Sequence, residues 1–192
     1  MRSYFVWPAV LLTWVALGCG NPGGAGSIEE IIAKGWQAFE AGDYVKAEFT
    51  FTEVINRDPQ NVEGKNGIAW AQAMQRKYED AIVNWLEAVD LDDSVPDVHA
   101  GLCLVYQVQK QFEECIQAGE KALQLAPNYA FAYDQTITAN TLRGTMASAY
   151  YGLGQYTKAA AMLDSADPAN APHSTDPAEL LQAIMAFLGF KK

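Results

Sequence analysis

The sequence predicts an all-α fold, a solenoid of about four helix-turn-helix repeats closed by a C-terminal capping helix. Three columns of residues predict it. Small residues fall at Gly35, Ala69, Cys103 and Ala147, aromatics at Tyr44, Tyr78, Phe112 and Tyr156, and small residues again at Ala47, Ala81, Cys115 and Ala159. All three columns step by 34, 34 and then 44 residues, the mark of a repeat array. Each unit also carries two apolar stripes at helical spacing, such as Trp36 and Phe39 followed by Phe49, Val54 and Ile55. Two short helices cannot bury both stripes alone, so the units must stack and share a core.

Residues 1–18 read as an address. Arg2 is the only charge before Glu29, and Tyr4 to Leu17 form an uncharged apolar run of 14 residues. A membrane helix takes roughly 20, so a positive start, a short apolar core and a small-residue end describe a secretory signal peptide. Ala16-Leu17-Gly18-Cys19 resembles a bacterial lipobox, which implies lipidation of Cys19; Ala16 and Gly18 also suit ordinary signal-peptidase cleavage. Residues 19–27 form the expected tether, because Gly20 to Gly26 has almost no side chain able to pack.

The units follow at 28–61, 62–95, 96–129 and 140–168. Ser27-Ile28-Glu29-Glu30 is a capping-box start for the first helix. Residues 130–139 are an insertion before the fourth unit. Tyr129, Phe131 and Tyr133 alternate there with Ala130, Ala132 and Asp134, which favours an extended segment laid over the body, with Thr138 capping the next helix. The competing reading is a helix lengthened at its start by nearly three turns. Residues 169–192 hold a loop and the closing helix, begun by Asp176-Pro177 with proline in the first turn. His173, in a stretch of Pro, Asn and Ser, reads as a solvated loop residue.

This pattern resembles the tetratricopeptide repeat (TPR). The turn of the first unit reads Gly42-Asp43-Tyr44, its counterparts are Arg76-Lys77-Tyr78, Lys110-Gln111-Phe112 and Gly154-Gln155-Tyr156, and units end near Asp58-Pro59 and Asp167-Pro168. The family's bulky first-turn residue is replaced by Lys65, His99 and Arg143 in the later units. The resemblance implies a concave face lined by the first helix of each unit. The implied partner groove contains Trp36, Phe39, Trp70, Met74, Leu104 and Tyr151. No Lys or Arg occupies the implied lining positions, so a clamp for a peptide's C-terminal carboxylate is not expected. An apolar floor with acidic edges suits an extended or helical apolar peptide. Trp36 and Trp70 packing between helices, or the chain's own loop filling the groove, are the alternatives.

Composition narrows the function further. Half the residues are hydrophobic and the net charge is −10, which excludes bulk disorder and argues against nucleic acid and anionic lipid surfaces. No phosphate loop, metal-ligand motif or activated nucleophile is recognisable, so no enzyme activity, no metal and no small-molecule cofactor are expected. His99, Cys103 and Cys115 would need a fourth partner to hold zinc. Cys103 and Cys115 occupy the two small-residue columns of one unit, so they read either as a disulfide or as buried packing residues. The expected protein is a membrane-tethered TPR lipoprotein of the bacterial cell envelope, on the outer membrane facing the periplasm. It would act as a protein–protein interaction adaptor or assembly factor with a protein or peptide partner. A secreted soluble binder of peptide or glycan, and an accessory subunit of a cell-wall enzyme, are the alternatives.

Overall fold

The structure, a computed structural model, describes residues 26–189. The expected signal peptide, Cys19 and most of the expected tether lie outside the described residues. The helices run α1 (Ile28–Glu40), α2 (Tyr44–Arg57), α3 (Val62–Met74), α4 (Tyr78–Leu91), α5 (Pro96–Val108), α6 (Phe112–Leu125), α7 (Ala139–Gly152), α8 (Tyr156–Ala166) and α9 (Pro177–Phe187). Among the described residues, no helix is long and apolar enough to cross a membrane.

The helices pair as hairpins, α1 with α2, α3 with α4, α5 with α6 and α7 with α8. Each hairpin's second helix also packs on the first helix of the next. The odd-numbered helices touch one another in series, α1 to α3, α3 to α5, α5 to α7, and form the inner layer. α9 lies against α7 and α8, where Leu180 and Ile184 close a second small core with Ala147, Ala159, Ala160 and Leu163. The end of the stack that a repeat array must cover is therefore covered.

Local chemistry sets the helix boundaries. Ser27 and Glu30 form the capping box at the start of α1, and the Asp176 side chain accepts from the amides of Ala178 and Glu179 at the start of α9. The turns inside the four hairpins share one geometry. The amides of Asp43, Lys77, Gln111 and Gln155 reach back to the carbonyls of Ala38, Gln72, Tyr106 and Tyr150, at 2.9 Å in each case. This is the Schellman closure, which needs a left-handed residue just before that amide. Gly42 (φ 76°) and Gly154 (φ 70°) supply it without strain, whereas Arg76 (φ 63°) and Lys110 (φ 60°) carry a side chain there. Arg76→Gly and Lys110→Gly are each expected to raise stability by about 0.5–1 kcal/mol, read as a higher urea midpoint at unchanged m-value.

Stacking between units uses a large residue facing a glycine. Phe51 on α2 is fully buried, and a Cβ on Gly35 or Gly67 would lie 2.7 or 2.5 Å from its ring. Trp85 on α4, also fully buried, meets Gly101 on α5 in the same way. At the next interface the roles reverse, with the glycine on α6 (Gly119) and the large side chain, Met146, on α7. Close packing is thus achieved at successive interfaces with different partners for each gap.

Candidate functional site: a self-filled concave face

The inner helices place Trp36, Phe39 and Trp70 on one face, and the segment between α6 and α7 crosses it. Pro127 follows the end of α6, and after a turn the chain makes a single antiparallel bridge between Ala130 and Thr138. Tyr129 and Phe131 are buried while Ala130 and Ala132, each following one of them, are exposed. The segment folds back on itself at Asp134, whose side chain accepts from the Thr136 amide and hydroxyl at 3.0 and 2.7 Å. The Phe131 amide donates to the Ile137 carbonyl at 2.9 Å, and the Ala139 amide to the Tyr129 carbonyl at 2.7 Å. Thr138 caps α7, its side chain accepting from the Thr141 amide.

The aromatic side chains interlock with the groove floor. Phe131 stacks on Trp70 with centroids 4.2 Å apart and meets Trp36 and Phe39 edge-on at 5.8 and 6.0 Å. Tyr133 lies parallel to Trp36 at 3.9 Å. Trp36, Phe39 and Trp70 are consequently 2%, 4% and 2% exposed. In this structure they do not line an open groove: the chain's own segment fills it, because period-two aromatics meet an apolar floor at the matching spacing. Met74 and Leu104 lie beyond the filled part, with Met74 40% exposed. Leu104, Gln107, Val108, Thr145, Ser148 and Leu188 border a remaining cavity of about 260 Å³. Tyr151 belongs elsewhere, tilted against Tyr156 at 5.2 Å within the small core under α9.

Three carboxylates collect round the edge of this contact. Trp36 donates through Nε1 to Glu63 at 2.7 Å. Burial pushes the Glu63 carboxyl above its ordinary value, the Trp36 hydrogen bond pulls it back in part, and the nearby Asp97 charge pushes it further up. Burial likewise raises Asp97, which faces the Tyr129 hydroxyl. The Tyr133 hydroxyl is pushed up by burial and by the charges of Glu63, Asp97 and Glu40.

A raised carboxyl makes the folded state disfavour the ion. Glu63 therefore costs no stability well below the ordinary value of 4.5, an increasing amount as pH rises through the window above it, and a constant amount once fully ionised. Asp93, held low by the Lys121 ammonium, and Asp164, held low by the His173 amide, act in the opposite sense and lose their contribution as pH falls. Glu63→Gln keeps an acceptor for Trp36 and is expected to raise the melting temperature at pH 7.5. The difference from the parent protein should vanish at about pH 3.5, a comparison that cancels the other acids.

Cys103 and Cys115 face each other across α5 and α6 as free thiols, fully buried, with Sγ atoms 3.7 Å apart. The hydrogen bond between them, and then burial, push the Cys103 thiol well up. His99 is bound to Asp93 rather than to the cysteines, with Nε2 3.1 Å from the carboxylate. His173 is not a solvated loop residue. Its side chain is 8% exposed, and its backbone amide and Nδ1 both meet Asp164 Oδ1 at 2.7 Å, which ties the loop before α9 to α8.

Repeat hairpins with a common turn, stacked in two layers and capped at one end, define a helical-repeat scaffold. The tetratricopeptide repeat family model matches residues 96–129, which hold α5 and α6. Residues 96–129 thus match one tetratricopeptide repeat, and the array has the solenoid fold of solved TPR proteins. DnaJ homolog subfamily C member 7 of Mus musculus is 31% identical over 94 residues, 47% of this chain, and its human counterpart is 30% identical over the same length. The match spans 19% of the length of those relatives. Among solved structures, MamA superposes with a TM-score of 0.63 at 20% identity, covering 73% of this chain and 76% of that one. TTC0263, a TPR protein of Thermus thermophilus, superposes with 0.61 at 18% identity, covering 85% and 84%. An O-GlcNAc transferase of Thermobaculum terrenum gives 0.63 at 19% identity, with 74% of this chain matched to 26% of the enzyme.

Proposed function

We propose that the protein is an adaptor of the bacterial cell envelope, held to a membrane by a lipid on Cys19, which brings protein partners together without chemistry of its own. One observation carries the adaptor reading: the concave face is built to hold an extended chain, since it holds residues 129–133 by aromatic stacking. The envelope reading rests on the signal-like residues 1–18, the lipobox-like Ala16-Leu17-Gly18-Cys19 and the glycine-rich tether. Gly20 after the cysteine favours the outer membrane.

The anchor is tested by metabolic labelling with a fatty-acid analogue. Cys19→Ser should lose the label and leave the membrane fraction while its circular dichroism stays helical. A variant that still sediments with membranes overturns the anchor, and an unlabelled parent protein in the soluble fraction points to the secreted binder. The adaptor reading is tested by crosslinking and mass spectrometry from native membranes, which should recover a protein crosslinked to this chain.

A further inference from the structure

We propose that the concave face over α1, α3 and α5 is a binding site for an extended partner segment in which an aromatic residue is followed two positions later by Arg or Lys, and that residues 127–138 occupy it as a displaceable internal ligand. The proposal rests on the adaptor reading for the existence of a partner, and adds the chemistry of the segment.

The way the segment is held makes it displaceable. Among the described residues its backbone hydrogen bonds run within itself or to the adjoining ends of α6 and α7: Tyr129 to Ala126, Phe131 to Ile137, Ala139 to Tyr129, Thr141 to Thr136 and Arg143 to Pro127. Its contact with α1 and α3 is made by aromatic rings. Lifting it breaks no backbone hydrogen bond to the inner helices, and a fold-back of this size with no surface to pack on then opens.

The segment also fits imperfectly. Trp70, on the floor against Phe131, has a buried Nε1 with no acceptor among the described residues. A buried donor left unmatched is a cost that a partner's carbonyl can remove. The larger mismatch is electrostatic. Tyr133 brings a neutral hydroxyl among Glu40, Glu63 and Asp97. An Arg in its place would keep the parallel contact with Trp36 as a cation–π stack, and its guanidinium would meet carboxylates that have few donors now. Lys would supply the charge without the fork. An aromatic side chain two residues earlier is set by the Phe131 position on Trp70.

The test uses the full chain and two fluorescein-labelled peptides, one copying residues 127–137 and one with the same sequence carrying Arg at the position of Tyr133, titrated by fluorescence anisotropy. The Arg peptide is expected to bind at least about tenfold more tightly, and to lose most of that advantage in about 0.5 M salt. Tyr133→Ala in the protein loosens the internal ligand and should tighten binding of both peptides by about tenfold. Glu63→Gln with Asp97→Asn should erase the difference between the peptides. Hydrogen exchange supplies a readout that does not depend on a variant: the amides of Phe131 and Ala139 should lose protection when the Arg peptide is bound. Equal affinity of the two peptides, no binding by folded parent and Tyr133→Ala proteins, or bound peptide with both amides still protected would each overturn the proposal. A partner crosslinked from membranes that touches none of α1, α3 and α5 would keep the adaptor reading and sink this one.

Discussion

Trp85→Ala is expected to destabilise the protein by about 3–5 kcal/mol, the largest single loss among the core positions considered. Trp85 is fully buried and crosses Trp70 edge-on at 5.3 Å. It also donates through Nε1 to Asn66 Oδ1 at 3.1 Å. Removing the indole opens a cavity between α4 and α5 that rigid helices cannot collapse into. It also strands Asn66, whose own Nδ2 is already buried with no partner among the described residues. Urea denaturation of parent and variant measures the loss, and a change below about 1 kcal/mol would remove Trp85 from this role.

The second large effect comes from adding one methyl group. Gly101→Ala would place a Cβ 2.1 Å from Trp85 Cζ2, inside any possible contact distance. The indole has nowhere to go, so α5 must move off α4, and a loss of about 3 kcal/mol is expected. A smaller ring should relieve it: in the Gly101→Ala background, Trp85→Phe is expected to cost much less than it does alone. A double-mutant cycle reads this directly, with a coupling of at least about 1 kcal/mol expected. Additive effects would show that the helices yield elsewhere.

Much of this architecture is legible without coordinates. The 34-residue columns report hairpin geometry because the two small-residue columns are places where two helices approach closely, and the turns repeat because a Schellman closure needs a fixed spacing. The alternation of Tyr129, Phe131 and Tyr133 favours a segment laid over the body rather than a lengthened helix, and the chain there is non-helical, with one antiparallel bridge between Ala130 and Thr138 and turns beside it. What periodicity cannot show is where such a run lies. Trp36 and Trp70 sit on a groove by register, but register says nothing of a segment some sixty to a hundred residues away that stacks on them. Trp85 escapes notice for a related reason. Its column reads Phe51, Trp85, Gly119, Leu163, which looks irregular until the facing positions Gly67, Gly101 and Met146 are known. His173 looks solvated because Asp164, which holds it, lies on the preceding helix.

The filled groove also changes how the array behaves as a material. In a simple solenoid each unit touches only its neighbours, so end units fray independently and the whole flexes like a spring. Here the chain between the third and fourth units is in contact with α1 of the first, through Trp36 and Phe39, and acts as a strap across the arc. Fraying of the N-terminal hairpin must break that strap, so its opening is tied to that of the middle of the molecule. Contact order rises, unfolding moves from a sequence of local steps toward one cooperative event, and curvature is fixed rather than elastic. Release of the strap would return the array to independent units, softening it along its whole length.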